Sequence, residues 1–71
     1  MTQARKGDLI YVPSDVYLHR KDEHGAVTDY LMLKRPANLL VIESGNTNYE
    51  VLYNKKRWIV EKNKTYGVRN D

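Results

Sequence analysis

Turn-forming residues divide this chain into segments too short for most kinds of fold. Pro13 directly follows an apolar run, and two residues separate Pro36 from another. Proline cannot donate a hydrogen bond to a β ladder. Gly25, Gly45 and Asn54 lie in polar stretches between such runs, where they suit the backbone of tight turns. No segment between these breaks repeats apolar residues at the helical period. The roughly ten-residue spacing of the breaks therefore predicts a small all-β sandwich or barrel.

Five or six short strands are expected between the turns. Extended segments are predicted at 9–12, 16–20, 27–33, 39–43, 49–53 and 56–61, followed by a turn at 62–64 and a last short element at 65–68. The predicted core consists of the apolar residues of these segments: Leu9 or Ile10, Val12, Leu31, Leu33, Leu40, Ile42, Val51, Trp58, Val60 and Val68. Replacing Trp58 by alanine should then cost about 3–5 kcal/mol.

The length of 71 residues allows one domain and little stability to spare. We expect the domain to span 8–68, with flexible ends at 1–7 and 69–71. The chain contains no cysteine, so disulfides and thiolate zinc sites are excluded. No apolar run approaches the ~18 residues of a membrane span, and none of signal-peptide length follows the charged residues at 5–6. These features predict a soluble, cytoplasmic protein with no membrane partner.

Positive charge is concentrated in the last quarter of the chain. Residues 54–71 contain six basic and two acidic residues, a net charge of +4, whereas residues 1–53 contain six basic and seven acidic residues, a net charge of −1. The two parts sum to the net charge of +3. A basic segment suits an anionic partner, but lysines also protect exposed sheet edges from aggregation. The charge alone leaves both interpretations open.

The order of these segments resembles the Src-homology-three-like barrels, particularly those of bacteria. A long two-armed loop at about 16–33 precedes the strand 38–43, and the polar loop 44–48 leads to the hairpin 49–60 with Trp58 in its second strand. The element 63–68 lies where that family has a helical turn and a closing strand. The resemblance covers nearly the whole chain and implies a five- to six-stranded barrel with a short C-terminal turn. The peptide-binding signature of the eukaryotic members is absent, and only Tyr49 represents their aromatic pair.

Catalytic and metal-binding patterns are weak. His19 and His24 flank the polar segment that contains Asp22, but a metal site needs three or four converging ligands. Ser14 and Ser44 have no evident base, so a hydrolytic triad is not indicated. The four glycines are scattered, so no phosphate-binding loop is formed. We therefore expect no enzyme activity, no metal and no small-molecule cofactor.

Two kinds of macromolecular partner remain. Six tyrosines are too many for so small a core, and exposed tyrosines frequently anchor protein interfaces. The main hypothesis is a protein-interaction module, in which the two-armed loop and the neighbouring polar loop form a shallow groove. Its predicted protein-binding residues are Tyr17, Asp22, Glu23, Tyr49 and Tyr66.

The alternative hypothesis is a nucleic-acid-binding barrel. Small β-barrels bind single strands by stacking bases on aromatic rings while lysines contact phosphates. Basic residues surround Trp58 and precede Tyr66 in this chain. The predicted nucleic-acid-binding residues are Lys55, Lys56, Arg57, Lys62 and Lys64.

Overall fold

The fold is a single antiparallel β-sheet of seven strands, which we describe from a computed structural model for residues 4–67. The strands are β1 (Leu9–Val12), β2 (Tyr17–Lys21), β3 (Val27–Met32), β4 (Ala37–Ser44), β5 (Asn48–Tyr53), β6 (Lys56–Glu61) and β7 (Tyr66–Gly67). A 3-10 turn, Lys62–Lys64, links β6 to β7, and residues 4–67 contain no α-helix. Nor does this part of the chain contain a helix long and apolar enough to cross a membrane.

The strand order across the sheet is β3-β2-β6-β5-β4-β1-β7. This arrangement confirms the prediction of an all-β fold but corrects two of its details. Seven strands are present rather than five or six, because the last short element contains a two-residue strand, Tyr66–Gly67, that pairs with β1. The sheet is not closed into a barrel, since within the described residues β3 pairs with β2 alone and β7 with β1 alone.

The sheet nevertheless has to coil strongly. In sheet order β1 and β2 are four strand spacings apart, which is about 19 Å in a flat sheet. The connection at 13–16 spans about 18 Å only when fully extended. It is not fully extended, because Asp15 has a positive φ of 68° and its backbone N–H donates to the Leu33 carbonyl at 2.7 Å. Coiling brings the two strands together over a single core.

The core is one cluster on the concave side of this coiled sheet. Its buried members are Ile10, Val12, Leu18, Leu33, Leu39, Val41, Tyr49, Val51, Trp58 and Val60. This confirms six of the predicted core positions, while Leu31 is only half-buried. Leu18 and Tyr49 are core residues that the sequence pattern did not identify. Of the predicted flexible ends at 1–7 and 69–71, residues 1–3 and 69–71 lie outside the described residues, as does Val68. Residues 4–7 are described, and the Gly7 N–H donates to the Val41 carbonyl at 2.8 Å.

Strand β4 turns the opposite side toward the core from the one predicted. Leu39 and Val41 are buried, whereas Leu40 is 40% exposed and Ile42 is only half-buried. Pairing fixes this orientation, because Leu39 lies opposite Ile10 and Val41 lies opposite Val51. The prediction of Leu40 and Ile42 as core residues was wrong because four consecutive apolar residues carry no two-residue period. A register shift after Val41 bends the strand, as β-bulges do.

Two hydrogen bonds anchor the large aromatic side chains of the core. The Trp58 indole Nε1 donates to the Tyr53 carbonyl at 3.1 Å, and the Arg20 guanidinium lies 5.7 Å from the Trp58 ring centroid. The Tyr49 hydroxyl accepts the backbone N–H of Ala4 at 3.0 Å. Buried polar atoms are costly unless they find such partners. Trp58 and Tyr49 therefore fill the core without leaving their polar atoms unpaired.

The orientation of β4 can be tested with a pair of alanine substitutions. Leu39→Ala removes a buried side chain and should lower the free energy of unfolding by about 2–5 kcal/mol, or unfold the domain outright. Leu40→Ala removes a side chain that is already 40% exposed and should cost no more than about 1 kcal/mol. Urea unfolding of both variants decides the point. A larger loss for Leu40→Ala than for Leu39→Ala would contradict this register.

Candidate functional site

The predicted protein-binding residues do not form one surface. Tyr17 begins β2 and is 60% exposed, whereas Asp22 and Glu23 lie beyond the other end of that strand, roughly 17 Å away. The Asp22 carboxylate accepts the backbone N–H groups of His24 at 2.9 Å and Ala26 at 3.0 Å. Asp22 therefore stabilises the turn between β2 and β3.

Tyr49 and Tyr66 also differ in environment. Tyr49 is 5% exposed, so its ring belongs to the core and not to a contact surface, which corrects its predicted placement. Tyr66 is 64% exposed and packs against Tyr11 with ring centroids 6.2 Å apart. Of the five residues, Tyr17 and Tyr66 thus present exposed rings. A partner for them remains a prediction.

The predicted nucleic-acid-binding residues fall into two groups at opposite ends of β6. Lys55 lies in the tight turn between β5 and β6, and Lys56 begins β6. Arg57 follows with its guanidinium 3.7 Å from the Glu50 carboxylate. Lys62 and Lys64 lie in the 3-10 turn, beyond the far end of the six-residue strand. The Lys62 ammonium is 4.9 Å from the Tyr49 ring centroid. The five residues therefore do not form a continuous basic surface.

A shallow pocket lies beside Tyr17, where β2 meets the end of β6. Its volume is about 360 Å³. We call it the Tyr17 pocket, and it is lined by Asp15, Val16, Tyr17, His19, Glu61 and Lys64. The pairing of His19 with Ile59 sets β2 and β6 in register, so that Tyr17 projects beside Glu61. The turn at Asp15 adds a carboxylate to one wall, and the 3-10 turn adds Lys64 to the other.

Exposed apolar side chains extend from this pocket to the edge of the sheet. Met32 lies opposite Tyr17 and Tyr30 lies opposite His19 in the β2–β3 pairing, so all four share one face. Tyr30 is 71% exposed and Met32 is 37% exposed. The alternation of these two residues with half-buried Leu31 is visible in the sequence, but it does not show which face is covered.

The electrostatic character of the Tyr17 pocket is mixed. Asp15 and Glu61 contribute two carboxylates, and Lys64 contributes an ammonium group. Partial burial, reinforced by the charge of Lys21, lowers the pKa of His19 below its usual value of 6.5, while Glu61 acts in the opposite direction. His19 is therefore a neutral donor and acceptor at pH 7. The pocket can offer carboxylates, an aromatic ring and a neutral imidazole to a ligand.

A second exposed surface lies on the convex side of the sheet. Leu9, Leu40 and Leu52 form a row across β1, β4 and β5, because Leu40 is opposite both of the others. Tyr11, two residues along β1, shares this face and contacts Tyr66 of β7. We call these five residues the outer apolar face. This face could not be predicted from the sequence, because the residues of β1 are all apolar and their pattern does not distinguish the exposed side of the strand from the buried side.

The described residues contain no group of three or more His, Asp or Glu side chains placed to hold a metal ion. His19 and His24 illustrate the reason, since one lies within β2 and the other in the turn beyond it. Comparison with known proteins finds no family model, curated protein or solved structure that matches this chain. Function therefore has to be inferred from the geometry of the two surfaces.

The pKa of His19 provides a test of the pocket's structure. The imidazole should titrate below pH 6.5, and Glu61→Gln should lower its pKa further, whereas Lys21→Gln should raise it. Because the unfolded chain binds this proton more tightly, the contribution of His19 to stability is complete above about pH 6.5 and declines as the pH falls below that value. NMR titration of the imidazole protons measures these shifts. An opposite response to Glu61→Gln would show that Glu61 does not face His19.

Proposed function

We propose that this chain is a non-enzymatic protein-interaction module and that the Tyr17 pocket binds an extended segment of a partner protein. The observation that carries the proposal is the exposure of Tyr17, Tyr30 and Met32 on one face beside a pocket walled by charged groups. Shallow grooves lined by aromatic rings suit extended segments, whose backbones lie flat against the rings.

The strand arrangement supports a relation to the Src-homology-three-like barrels as part of this proposal. A hairpin, β2–β3, follows the first strand, and β4, β5 and β6 form a meander. A 3-10 turn then precedes a short strand that pairs with β1. This is the order of elements that the resemblance implies. The hairpin supplies Tyr17 to the pocket and the 3-10 turn supplies Lys64, whereas the polar loop 44–48, expected as the second wall of the groove, does not line it.

The charges of the pocket favour a partner segment that contains lysine or arginine. Asp15 is exposed and forms no ion pair among the residues that the structure describes, and the same is true of Glu61. Both carboxylates are therefore available to a cation from a ligand. Exposed ion pairs contribute up to about 1 kcal/mol each, so the aromatic contacts have to supply much of the affinity.

Selection from a random peptide display library tests this proposal, because the library samples partner segments of every composition. Peptides selected on the wild-type protein should be enriched in lysine and arginine, and Tyr17→Ala should weaken their binding at least about fivefold. Asp15→Asn should weaken binding up to about fivefold, because it removes one exposed charge. Affinities are measured by titration calorimetry.

Glu43→Gln is the matched control for Asp15→Asn. Glu43 is an exposed carboxylate on β4 whose partner is Lys6, at 3.8 Å, and it does not line the Tyr17 pocket. Its substitution should leave peptide affinity unchanged. Selected peptides that bind Tyr17→Ala and the wild-type protein equally well, or a library that yields no binding peptide, would refute the proposal.

A further inference from the structure

The outer apolar face contains two aromatic rings with open surfaces. Tyr66 is 64% exposed and Tyr11 is 38% exposed, and their ring planes are inclined at 50°. In this tilted arrangement the rings do not cover one another as a parallel stack would. Both rings stand on paired strands, so their positions are fixed by the sheet. Such rings are suitable platforms for planar groups.

Four basic residues lie at the end of the sheet nearest these rings. Tyr11 pairs with Asn38 at the start of β4, and the chain immediately before β4 contains Lys34 and Arg35. The turn between β5 and β6, with Lys55 and Lys56, lies at the same end because Leu40 is opposite Leu52 in antiparallel strands.

All four cations are exposed. None of them forms an ion pair within the described part of the chain. On the same side of the sheet the Glu50 carboxylate lies 3.7 Å from the Arg57 guanidinium. Glu43, toward the far end of β4, lies 3.8 Å from the Lys6 ammonium. The cations beside the tyrosines are thus available to an anionic partner.

The backbone at Lys55 adds an independent observation. Asn54 and Lys55 have positive φ angles of 53° and 65°, the conformation of a two-residue hairpin turn in which glycine normally follows asparagine. Left-handed backbone is unfavourable for a residue with a long side chain. Strain of this kind concentrates at functional positions. A lysine at this position places a charge at the tip of the hairpin that glycine would not supply.

We propose that the outer apolar face binds single-stranded nucleic acid, with bases stacked on Tyr11 and Tyr66 and phosphates beside Lys55, Lys56, Lys34 and Arg35. Exposed rings bind unpaired bases, whereas the bases of a duplex are already stacked on one another. The leucine row offers apolar area for the faces of further bases and for the sugars. This surface shares no residue with the lining of the Tyr17 pocket, so the proposal does not depend on the peptide-binding function.

Fluorescence anisotropy with labelled oligothymidine and oligouridine tests the proposal, with duplex DNA as the comparison. The single strands should bind more tightly than the duplex, and their affinity should fall as salt rises, with a log–log slope of about −0.7 for each phosphate contacted. Tyr66→Ala should weaken binding by about five- to a hundredfold, because base stacking is lost. Tyr30→Ala is the control, since it removes a similarly exposed tyrosine from β3, at the other edge of the strand order.

Lys55→Gly distinguishes a loss of oligonucleotide binding from a loss of folding stability. Glycine suits the turn, so the melting temperature should remain unchanged or rise, while affinity for the oligonucleotides falls and the salt slope becomes shallower by about 0.7. Tyr17→Ala should leave oligonucleotide binding unchanged, so that loss of one proposed function can be distinguished from loss of the other. A folded Tyr66→Ala protein that binds as the wild type does would refute the proposal. So would an absence of binding at low salt, equal binding of duplex DNA, or equally tight binding of polyglutamate, which would indicate an acidic protein partner.

Discussion

The short connection between β1 and β2 is the constraint on which the rest of the structure depends. Four residues join strands that are separated in the sheet by β4, β5 and β6, so a flat sheet would hold the ends of the connection too far apart. The sheet has to coil until Val12 and Leu18 enter the same core. Coiling buries one side of five of the seven strands, which is how the single sheet of residues 4–67 covers Trp58. It also leaves the convex side uncovered.

The two candidate surfaces follow from this geometry. The connection that forces the coil passes beside the 3-10 turn, and this proximity places Asp15 and Lys64 on walls of one pocket. The outer apolar face arises on the convex side, where β4 is bent by its bulge and no other described element covers the leucines. The surfaces are chemically different. One combines carboxylates with tyrosine, whereas the other combines tyrosines with neighbouring lysines that form no ion pair among residues 4–67.

The sequence predicted where the strands begin and end better than it predicted which way they face. Proline, glycine and asparagine mark the turns by local backbone preference, so local sequence is sufficient for them. The buried side of the strand was predictable in β5, where buried Val51 alternates with residues that are more exposed. The prediction failed in β4, because consecutive apolar residues leave the choice between Leu39 and Leu40 to pairing with other strands. The Tyr17 pocket was predicted only in part for the same reason. Tyr17 lies beside Glu61 because of the β2–β6 register, which local sequence does not determine.

The distribution of backbone strain links the turns to the candidate surfaces. Within residues 4–67 three residues other than glycine have positive φ, namely Asp15, Asn54 and Lys55. Aspartate and asparagine tolerate this conformation because their short polar side chains bond locally, so Asn54 needs no explanation beyond its turn. Lysine has no such compensation, and a hairpin selected for stability alone would carry glycine at that position. Lys55 lies beside the outer apolar face, as Asp15 lies in the wall of the Tyr17 pocket. The turn chemistry of this chain is therefore better understood as a compromise between closing a small sheet and presenting charge at its two exposed surfaces.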